Sequence, residues 1–546
     1  MKKLNLWLIF IILLAAILRF YKLGSIPPSL YWDEASLGYN AYSILTSGQD
    51  EHGRPFPLTN FAAFGDYKPP GYIYVAVPSI AVFGLTEFAI RFPSALFGTL
   101  TVLLTYLLTK KLFEDSSLIT HHSSLKSVAL LATLFLAISP WHLQFSRGAF
   151  EANLGLFFST LGIYLFVKFA KDNPLYIFAS AASFLAAMYT FTGQRLFVPF
   201  ILLILLLQFR KQVIANIKIV AVTAVVSGFL FWPLFVFVTQ TIEGRLRFDE
   251  VTIFKDLEPI NVSTRYRGTD NFSWWSDIIH NRRLEYARQY LIHYLDAASP
   301  SFLFIRGDAN PRLSTQEVGE LYLIDFPLIL AGIYYLIRQK HKYGLLIISW
   351  LLISPLGPAT ARETPHALRM IHILPTFQII AAYGFYNFYK VLKFKKLFLT
   401  LTFTFYILHF IFYLHMYYLH WAKNYSDQWQ YGYKQAAQEV KSRYQDVDHV
   451  IVTKNLGRPY IYFLLYMQFN PQDFQQTANI VRDQFFFIDV DGFDKFQFAD
   501  NPRELSPTGQ VLYVVSPGQL PPDSQKITTI TDLAGKSVFE IGQVKR

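Results

Sequence analysis

Two adjacent carboxylates, Asp33 and Glu34, follow Tyr31 and Trp32 shortly after the first long apolar run of the chain. A carboxylate at a membrane surface can act as a general base when its surroundings tune its pKa. The two aromatic side chains are typical of the membrane–water interface. Since Asp also caps helices well, a solvated helix start is an equally good interpretation of the pair taken alone. We treat Asp33 and Glu34 as the candidate catalytic residues.

Lys68 lies in the segment Asp66-Tyr67-Lys68-Pro69-Pro70, directly before a short apolar stretch. The two prolines fix the backbone and present the lysine at the start of that stretch. An ammonium group in this position can bind a phosphate as a point charge, or it can contact lipid headgroups without catalytic meaning. The functional interpretation makes Lys68 a phosphate-binding residue, with Asp66 and Tyr67 as further contributors.

Arg147 and Glu151 are four residues apart, so they would share one face of a helix. Arg147 is a second candidate for phosphate binding, and Glu151 is a further contributor. A plain intrahelical ion pair explains both residues at least as well. Weaker candidates are polar residues in other predicted outer loops: Arg195, Asp308, Arg312 and Arg362.

A third cationic segment is centred on His366 and Arg369. Thr364 is predicted to cap a helix there, with Pro365 at its first position. His366 and Arg369 would then lie on one helix face, where two cations suit an anionic headgroup. The alternative is a belt of headgroup contacts without catalysis.

The composition requires a membrane to surround most of the chain. Of 546 residues, 53% are hydrophobic and 16% are charged, and several apolar runs exceed the roughly 18 residues that span a bilayer. This balance excludes a disordered chain and a coiled coil. The absence of Cys excludes disulfides and thiolate chemistry. The net charge of +11 does not indicate nucleic acid, because the basic residues cluster at the ends of apolar runs.

The apolar runs predict a polytopic α-helical protein with about eleven transmembrane helices. The Lys and Arg clusters fall on one side of these helices, which the positive-inside rule makes the cytoplasm. The predicted outer loops are 21–71, 140–153 and 240–320, within a membrane domain of residues 1–420. The stretch 71–84 is short for a crossing, so it is predicted to be re-entrant or interfacial.

The composition changes at about residue 421, where charged and amide residues return. His449–Thr453 and Val511–Ser516 have the pattern of buried strands, and Tyr433–Tyr444 has that of an amphipathic helix. Residues 421–546 are therefore predicted to form a small α/β domain, which the topology places outside the cytoplasm.

The order of these motifs resembles a known enzyme family. The acidic pair, then Lys68-Pro69-Pro70, then Arg91-Phe92-Pro93-Ser94 at the start of the next span, is similar to the GT-C membrane glycosyltransferases. The closest similarity is to the protein O-mannosyltransferases and the lipid A aminoarabinose transferases, which are glycosyltransferase family 39-like. In that family Asp33 matches an essential acidic position and Lys68 matches a phosphate-contacting lysine. Glu151 is displaced from the family's second acidic position.

The resemblance implies transfer of a sugar from a polyprenyl-phosphate-linked donor to an acceptor hydroxyl at the outer face of the plasma membrane. Asp33 would be the general base, cations would stabilise the departing phosphate, and a single displacement would invert the anomeric centre. No cofactor is certain, and a divalent cation at Asp33 and Glu34 is an option. The partners would be the lipid donor, the bilayer and a lipid, glycan or protein acceptor, without nucleic acid. The alternatives are a flippase for lipid-linked sugars and a non-catalytic membrane scaffold.

Overall fold

The computed structural model describes residues 6–114, 122–482 and 487–546. Most of them are helical. The helices up to residue 240 are α1 (Leu6–Phe20), α2 (Trp32–Ser47), α3 (Gly71–Phe83), α4 (Glu87–Phe113), α5 (His122–Ile138), α6 (Pro140–Arg147), α7 (Glu151–Lys171), α8 (Tyr176–Thr190), α9 (Gln194–Gln208), α10 (Arg210–Ala215) and α11 (Ile217–Gln240). A short antiparallel hairpin of β1 (Phe61–Ala63) and β2 (Asp66–Lys68) lies between α2 and α3.

The remaining α-helices continue to the C-terminal region. They are α12 (Ile242–Val251), α13 (Glu258–Thr269), α14 (Trp274–Ile279), α15 (Arg282–Asp296), α16 (Asp325–Arg338), α17 (Gly344–Ile353), α18 (Ala367–Met370), α19 (Thr376–Val391), α20 (Lys395–His415), α21 (Ala422–Asn424), α22 (Tyr433–Arg443), α23 (Pro459–Met467) and α24 (Pro471–Thr477). The strands of this region are β3 (His449–Thr453), β4 (Asn479–Arg482), β5 (Ile488–Phe493), β6 (Phe496–Ala499), β7 (Gln510–Val515), β8 (Gln525–Thr531) and β9 (Ser537–Lys545).

The chain is a multi-pass membrane protein. Within the described ranges, four helices are long and apolar enough to cross a bilayer: Glu87–Phe113, Glu151–Lys171, Ile217–Gln240 and Lys395–Asn424. A fifth candidate is a bent pair, Lys126–Ile138 and Pro140–Arg147, with an angle of 55° between its halves. Several other apolar helices have only 10–17 residues, and at 1.5 Å per residue they are short for a hydrocarbon core of about 30 Å. The total of about eleven crossings stays a prediction.

The predicted outer loop 140–153 is largely helical, and its position outside the membrane stays a prediction. Pro140 opens α6, where a proline is tolerated because the first helical N–H has no partner inside the helix. The helix ends at Arg147, and α7 begins at Glu151, so only three residues connect them. The predicted loop 21–71 also contains the helix α2. The predicted loop 240–320 contains the helices α12 to α15. Polarity alone therefore did not distinguish a loop from a polar helix.

Two compact units make up the chain. One comprises residues 1–19, 96–146 and 151–413, and the other comprises residues 20–95, 147–150 and 414–546. The second unit thus combines the segment that carries the acidic pair with the C-terminal sheet. The boundary at residue 421 that the composition suggests stays a prediction.

The C-terminal region contains the predicted strands and helix. Its seven-stranded mixed sheet has the order β4-β5-β6-β3-β7-β9-β8, with β3 parallel to both β6 and β7. Nearly every residue of β3 and β7 is buried, which is why both read as continuous apolar runs rather than alternating ones. One face of these strands forms a core of Ile451, Val511, Tyr513, Val515 and Val544.

Candidate active site

Asp33 and Lys68 belong to two neighbouring elements of the second unit. Asp33 lies in the first turn of α2, where the helix dipole favours a carboxylate. Lys68 is the last residue of β2 and is paired with Phe61 across the hairpin. The hairpin turn passes through Gly65 at a φ of +92°, a left-handed conformation that glycine adopts without strain. The two elements bring side chains 35 residues apart into contact.

The expected proximity of Asp33 and Lys68 is present in the structure. The Lys68 ammonium donates to Asp33 Oδ1 at 2.5 Å, and the Tyr31 hydroxyl donates to Asp33 Oδ2. The Lys68 side chain is only 5% exposed, whereas that of Asp33 is 26% exposed. The buried Lys68 ammonium therefore holds the Asp33 carboxylate in place. Because this carboxylate is partly exposed, a ligand can reach it. Asp66, two residues before Lys68, accepts from the N–H of Tyr67 and stabilises the hairpin.

Glu34 has surroundings quite different from those of its neighbour. It is 1% exposed and forms a two-pronged ion pair with the fully buried Arg91, at 2.9 and 2.8 Å. Arg91 also donates to the carbonyls of Leu23, Pro27 and Ser29. Glu34 accepts in addition from the backbone N–H of Ala149 at 2.7 Å. Through these contacts Glu34 joins three chain segments, its own and those of Arg91 and Ala149, and it acts as a positioning residue. Its catalytic role stays a prediction.

Arg91 is a residue that the sequence reasoning did not select. It lies near the start of α4, where a lone arginine in an apolar helix was the available signal. Its role is to satisfy Glu34 and three carbonyl groups inside the second unit.

Arg147 is buried by backbone and aromatic contacts. Its guanidinium donates to the carbonyls of Tyr21 and Ile26, and its Nε donates to the Tyr417 hydroxyl at 3.1 Å. The Tyr418 ring lies 5.2 Å from the guanidinium carbon. The predicted ion pair on one helix face with Glu151 is wrong, because Gly148 to Phe150 separate α6 from α7. The phosphate-binding role of Arg147 stays a prediction.

The first unit collects several of the other predicted residues around Asp308. One Asp308 oxygen accepts from the Ala367 N–H at 2.6 Å, and the other accepts from the Asn310 N–H in a turn. His366 Nδ1 lies 3.8 Å from Asp308, and the Asp308 N–H donates to the buried Glu320. The segments 307–312 and 362–369 were predicted as separate candidates, and the structure brings them together at the Asp308 carboxylate.

Burial sets the protonation of this cluster. It raises the pKa of Asp308 to about 6 and lowers the pKa of His366 to about 3, the latter with help from Arg369. His366 is therefore neutral near pH 7, and the expected pair of cations is reduced to Arg369. The predicted cap is also wrong, because α18 begins at Ala367 with His366 at the N-cap position. Thr364 and Pro365 precede this helix.

The remaining candidates of the first unit are Arg195, Arg312 and Arg362. Arg195 is the second residue of α9, and its Nε donates to the Met188 carbonyl at 3.3 Å. Arg312 is held in its turn by Asn310, and its carbonyl accepts from Gln144. Arg362 is 45% exposed and lies 3.6 Å from Asp256. Their roles as site residues stay predictions.

Glu51 is a second residue of the second unit that the sequence reasoning did not select as a site residue. It lies between α2 and the hairpin and is fully buried, with its N–H donating to Asn40 at 3.0 Å. Burial raises the pKa of Glu51 to about 8, although Asn40, Arg54 and Lys68 all act to lower it. Below pH 8 this carboxyl group is therefore mainly neutral. The adjacent His52, whose pKa burial lowers to about 4, is also neutral near pH 7.

Comparison with known proteins identifies the N-terminal part of the chain. Residues 9–206 match the sequence profile of the family described as "PMT: Dolichyl-phosphate-mannose-protein mannosyltransferase". Over these residues the chain is similar to that family. The matched range includes Asp33, Lys68, Arg91 and Arg147, so the resemblance drawn from the sequence motifs is confirmed.

Two curated relatives overlap parts of this chain. A Bacillus subtilis (strain 168) protein named "Putative mannosyltransferase YkcB" is 27% identical over 245 residues, which are 43% of this chain and 31% of that protein. An uncharacterised Aquifex aeolicus (strain VF5) protein is 32% identical over 123 residues, 22% of this chain and 23% of its own. The chain thus spans less than a third of the length of either relative.

The fold of the chain is similar to that of a solved GT-C enzyme. The crystal structure of ArnT from Cupriavidus metallidurans, bound to undecaprenyl phosphate, superposes with a TM-score of 0.57 at 13% identity. The superposition covers 98% of each chain. At this identity the comparison shows the fold, and the predicted GT-C fold with a C-terminal domain is confirmed.

Glu51 should make the stability of the second unit dependent on pH. An unfolded Glu51 has lost its proton above pH 4.5, whereas the folded one keeps it up to about pH 8, so stability falls as the pH rises between these values. His52 adds no slope above pH 6.5, the ordinary pKa of its side chain. Between pH 6.5 and 8 the wild-type protein should therefore lose roughly 2 kcal/mol that Glu51→Gln does not lose.

The measurement is the thermal unfolding midpoint of both proteins in detergent across this pH range. Glu504→Gln, at an exposed position of the C-terminal sheet region, is the matched control and should follow the wild-type curve. Parallel curves for wild type and Glu51→Gln would show that Glu51 is ionised in the folded protein.

Proposed function

We propose that the chain transfers a sugar from a polyprenyl-phosphate-linked donor to an acceptor hydroxyl at the extracytoplasmic face of the membrane. The observation that carries this proposal is the contact between a buried Lys68 and a partly exposed Asp33. Both lie within the residues that are similar to the PMT family, in a chain with an ArnT-like fold. The ArnT structure holds undecaprenyl phosphate, which supports the same class of lipid donor here.

The two side chains supply the groups that the reaction needs. The acceptor oxygen forms a bond to the anomeric carbon while the bond from that carbon to the phosphate oxygen breaks. Asp33 takes the proton from the acceptor hydroxyl. The departing polyprenyl phosphate gains negative charge, which the Lys68 ammonium stabilises. Because the displacement takes one step, the configuration at the anomeric carbon is inverted.

Donor binding rearranges the ion pair. In the structure Lys68 donates to Asp33, so that each group neutralises the other. A donor phosphate that approaches Lys68 competes with Asp33 for the ammonium group. Sharing or transfer of that hydrogen bond leaves Asp33 as a stronger proton acceptor when the donor is present. Asp33 is therefore a stronger base when a donor phosphate is bound at Lys68 than when the site is empty.

Glu34 is occupied with Arg91 and backbone N–H groups, so the proposed step uses Asp33 without a bridging metal ion. Within the described residues, no group of three or more His, Cys, Asp or Glu side chains comes together as a cation site.

The proposal also includes the orientation of the chain in the membrane. The positive-inside rule predicts that the Lys and Arg clusters at Lys110-Lys111 and Lys395-Lys396 face the cytoplasm, and the predicted topology has Asp33 and the C-terminal sheet outside the cytoplasm. The role of Arg369 in binding the donor phosphate stays a prediction.

The test is a transfer assay with the purified full chain in nanodiscs. Undecaprenyl-phosphate sugars labelled in the sugar are incubated with membrane glycolipids and glycans from a prokaryotic cell envelope, and the label is followed to its new carrier. Labelled product with inverted configuration supports the proposal. Movement of the intact lipid-linked sugar between leaflets, without transfer, would instead show a flippase.

Lys68→Met should weaken donor binding. Removing a charge-assisted hydrogen bond to phosphate costs about 1.5–3 kcal/mol, which is roughly a 10–150-fold rise in the dissociation constant for undecaprenyl phosphate. Lys68→Arg, which keeps the charge, should lose less. The matched control is Lys526→Met, which removes an exposed lysine paired with Glu540. An unchanged dissociation constant for Lys68→Met would remove the phosphate-binding role.

A further inference from the structure

A cavity of about 720 Å³ opens in the second compact unit, at the carboxyl ends of two parallel strands. Asn455 and Gly457 line it directly after β3, and Ser516 lines it directly after β7. In sheets with parallel strands, ligands bind outside the carboxyl ends of neighbouring strands. The volume lies within the range of roughly 300–1,000 Å³ that is usual for small-molecule sites. The cavity therefore has the position and size of a binding site.

This cavity reaches the residue beside the proposed base. Trp32, the first residue of α2, lines the cavity and directly precedes Asp33. Gly457 packs against the Trp32 ring so closely that a Cβ at this position would lie 2.8 Å from a ring carbon. Its φ of +105° also favours glycine. The loop after β3 is thus built to bring the sheet against the start of α2.

The lining suits a neutral, polyhydroxylated ligand. Trp32 and Tyr431 offer aromatic faces on which the C–H face of a sugar ring can stack. Asp427 and Asp532 are hydrogen-bond acceptors, and Lys536 is the single basic residue among those that line the cavity. Two carboxylates against one ammonium disfavour a phosphate or a nucleotide.

Tyr433 is another residue of the lining, and its hydroxyl is buried. Its ring stacks on Tyr462 at 4.2 Å and 7°, and the residue is 1% exposed. Within the described part of the chain its buried hydroxyl has no hydrogen-bond partner. Leaving a buried hydroxyl unpaired is unfavourable, and a ligand hydroxyl would supply the missing partner.

We propose that this cavity binds a neutral saccharide of the acceptor, and that the acceptor of the transfer is therefore a glycan. This inference rests on the proposed function, because it assigns an acceptor to that reaction. The saccharide stacks on Trp32 and Tyr431, and a hydroxyl bonds to Tyr433. An adjacent hydroxyl of the same glycan extends past Trp32 toward Asp33.

The experiment measures saccharide binding without any donor. The purified full chain in nanodiscs is examined by saturation-transfer NMR with the methyl glycosides of glucose, galactose, mannose and N-acetylglucosamine, and with glucose 6-phosphate as the anionic probe. We expect at least one neutral glycoside to bind. Tyr433→Phe should weaken it about 2–10-fold without loss of stability, and Tyr431→Leu should weaken it more than Tyr431→Phe. Tyr444→Phe, which removes a hydroxyl that donates to Asp494, is the matched control.

Three results would overturn the inference. They are no binding of any neutral glycoside to the wild-type chain, tighter binding of glucose 6-phosphate, and unchanged binding in both Tyr433→Phe and Tyr431→Leu. Failure of the proposed function is recognised separately, because it appears as absence of sugar transfer from the lipid donor whatever the glycoside binding. In the transfer assay, Tyr433→Phe should raise the KM for a glycan acceptor and leave the donor dissociation constant unchanged.

Discussion

Asp33→Asn should lower kcat for sugar transfer by about 10²–10⁴-fold without weakening the binding of the lipid donor, because it removes a carboxylate that competes with the donor phosphate for Lys68. The amide has nearly the same shape as the carboxylate, and its oxygen can still accept from Lys68, while its NH2 group takes the place of the oxygen that accepts from Tyr31. It cannot take a proton from the acceptor hydroxyl. Initial rates at saturating donor and acceptor, together with donor binding to the same preparation, separate the two quantities.

Asp473→Asn is the matched control for this variant. Asp473 also lies in the first turn of a helix of the second unit, α24, and its loss removes the same favourable interaction with a helix dipole. It should change neither kcat nor donor binding. If Asp33→Asn kept wild-type turnover, Asp33 would not be the base and a non-catalytic role would have to be considered.

The contact between Asp33 and Lys68 makes their effects depend on each other. In the double variant Asp33→Asn/Lys68→Met, the loss of transfer should be smaller than the product of the two single losses, because the two residues act on one step and share a hydrogen bond. Independent effects would mean that the pair in the structure does not persist during the reaction.

The sequence was sufficient to place the principal pair. Asp33 follows an apolar run and starts a helix, and Lys68 precedes two prolines at the start of another helix. These signals are local in the sequence. The resemblance to the glycosyltransferase family then indicated that Asp33 and Lys68 belong to one site. The strands β3 and β7 were predictable for a similar reason, because a continuous apolar run bounded by polar residues is a local pattern.

Glu34 and Glu51 could not be understood from local signals. Glu34 is buried because Arg91, 57 residues later, reaches it from α4, and no pattern near either residue announces the partner. Glu51 appears in the sequence as one charge in a polar loop, yet tertiary packing buries it completely. In both cases the deciding interaction is long-range.

Two local predictions failed because a helix boundary was misplaced. Arg147 and Glu151 share a helix face only if the helix continues through Gly148, and it does not. The helix predicted to begin at Pro365 begins instead at Ala367, where the N–H donates to Asp308 from a distant loop. A spacing of three or four residues is informative only when the helix is continuous.

The ion pair of Glu34 and Arg91 should be the most sensitive point of the second unit. Removing one partner of a buried pair leaves an uncompensated charge, which costs about 3–5 kcal/mol. Arg91→Met should have this effect, because it also leaves the carbonyls of Leu23, Pro27 and Ser29 without their donor. Glu34→Met should be comparably destabilising, because Arg91 is fully buried.

The double variant Glu34→Met/Arg91→Met distinguishes a coupled pair from two independent residues. It contains no isolated charge, so its loss of stability should be smaller than the sum of the two single losses, measured as unfolding midpoints in detergent. Arg443→Met should have almost no effect, because Arg443 and its partner Glu439 are both partly exposed on the same helix. Additive losses would show that Glu34 and Arg91 do not depend on each other.

Glu34→Gln then separates positioning from catalysis. The amide oxygen can still accept from the Ala149 N–H, but the charge that Arg91 needs is lost. A positioning residue predicts reduced stability, with kcat falling only as far as the folded fraction falls. A kcat reduced by several orders of magnitude in protein that unfolds at the wild-type temperature would instead make Glu34 a catalytic partner of Asp33.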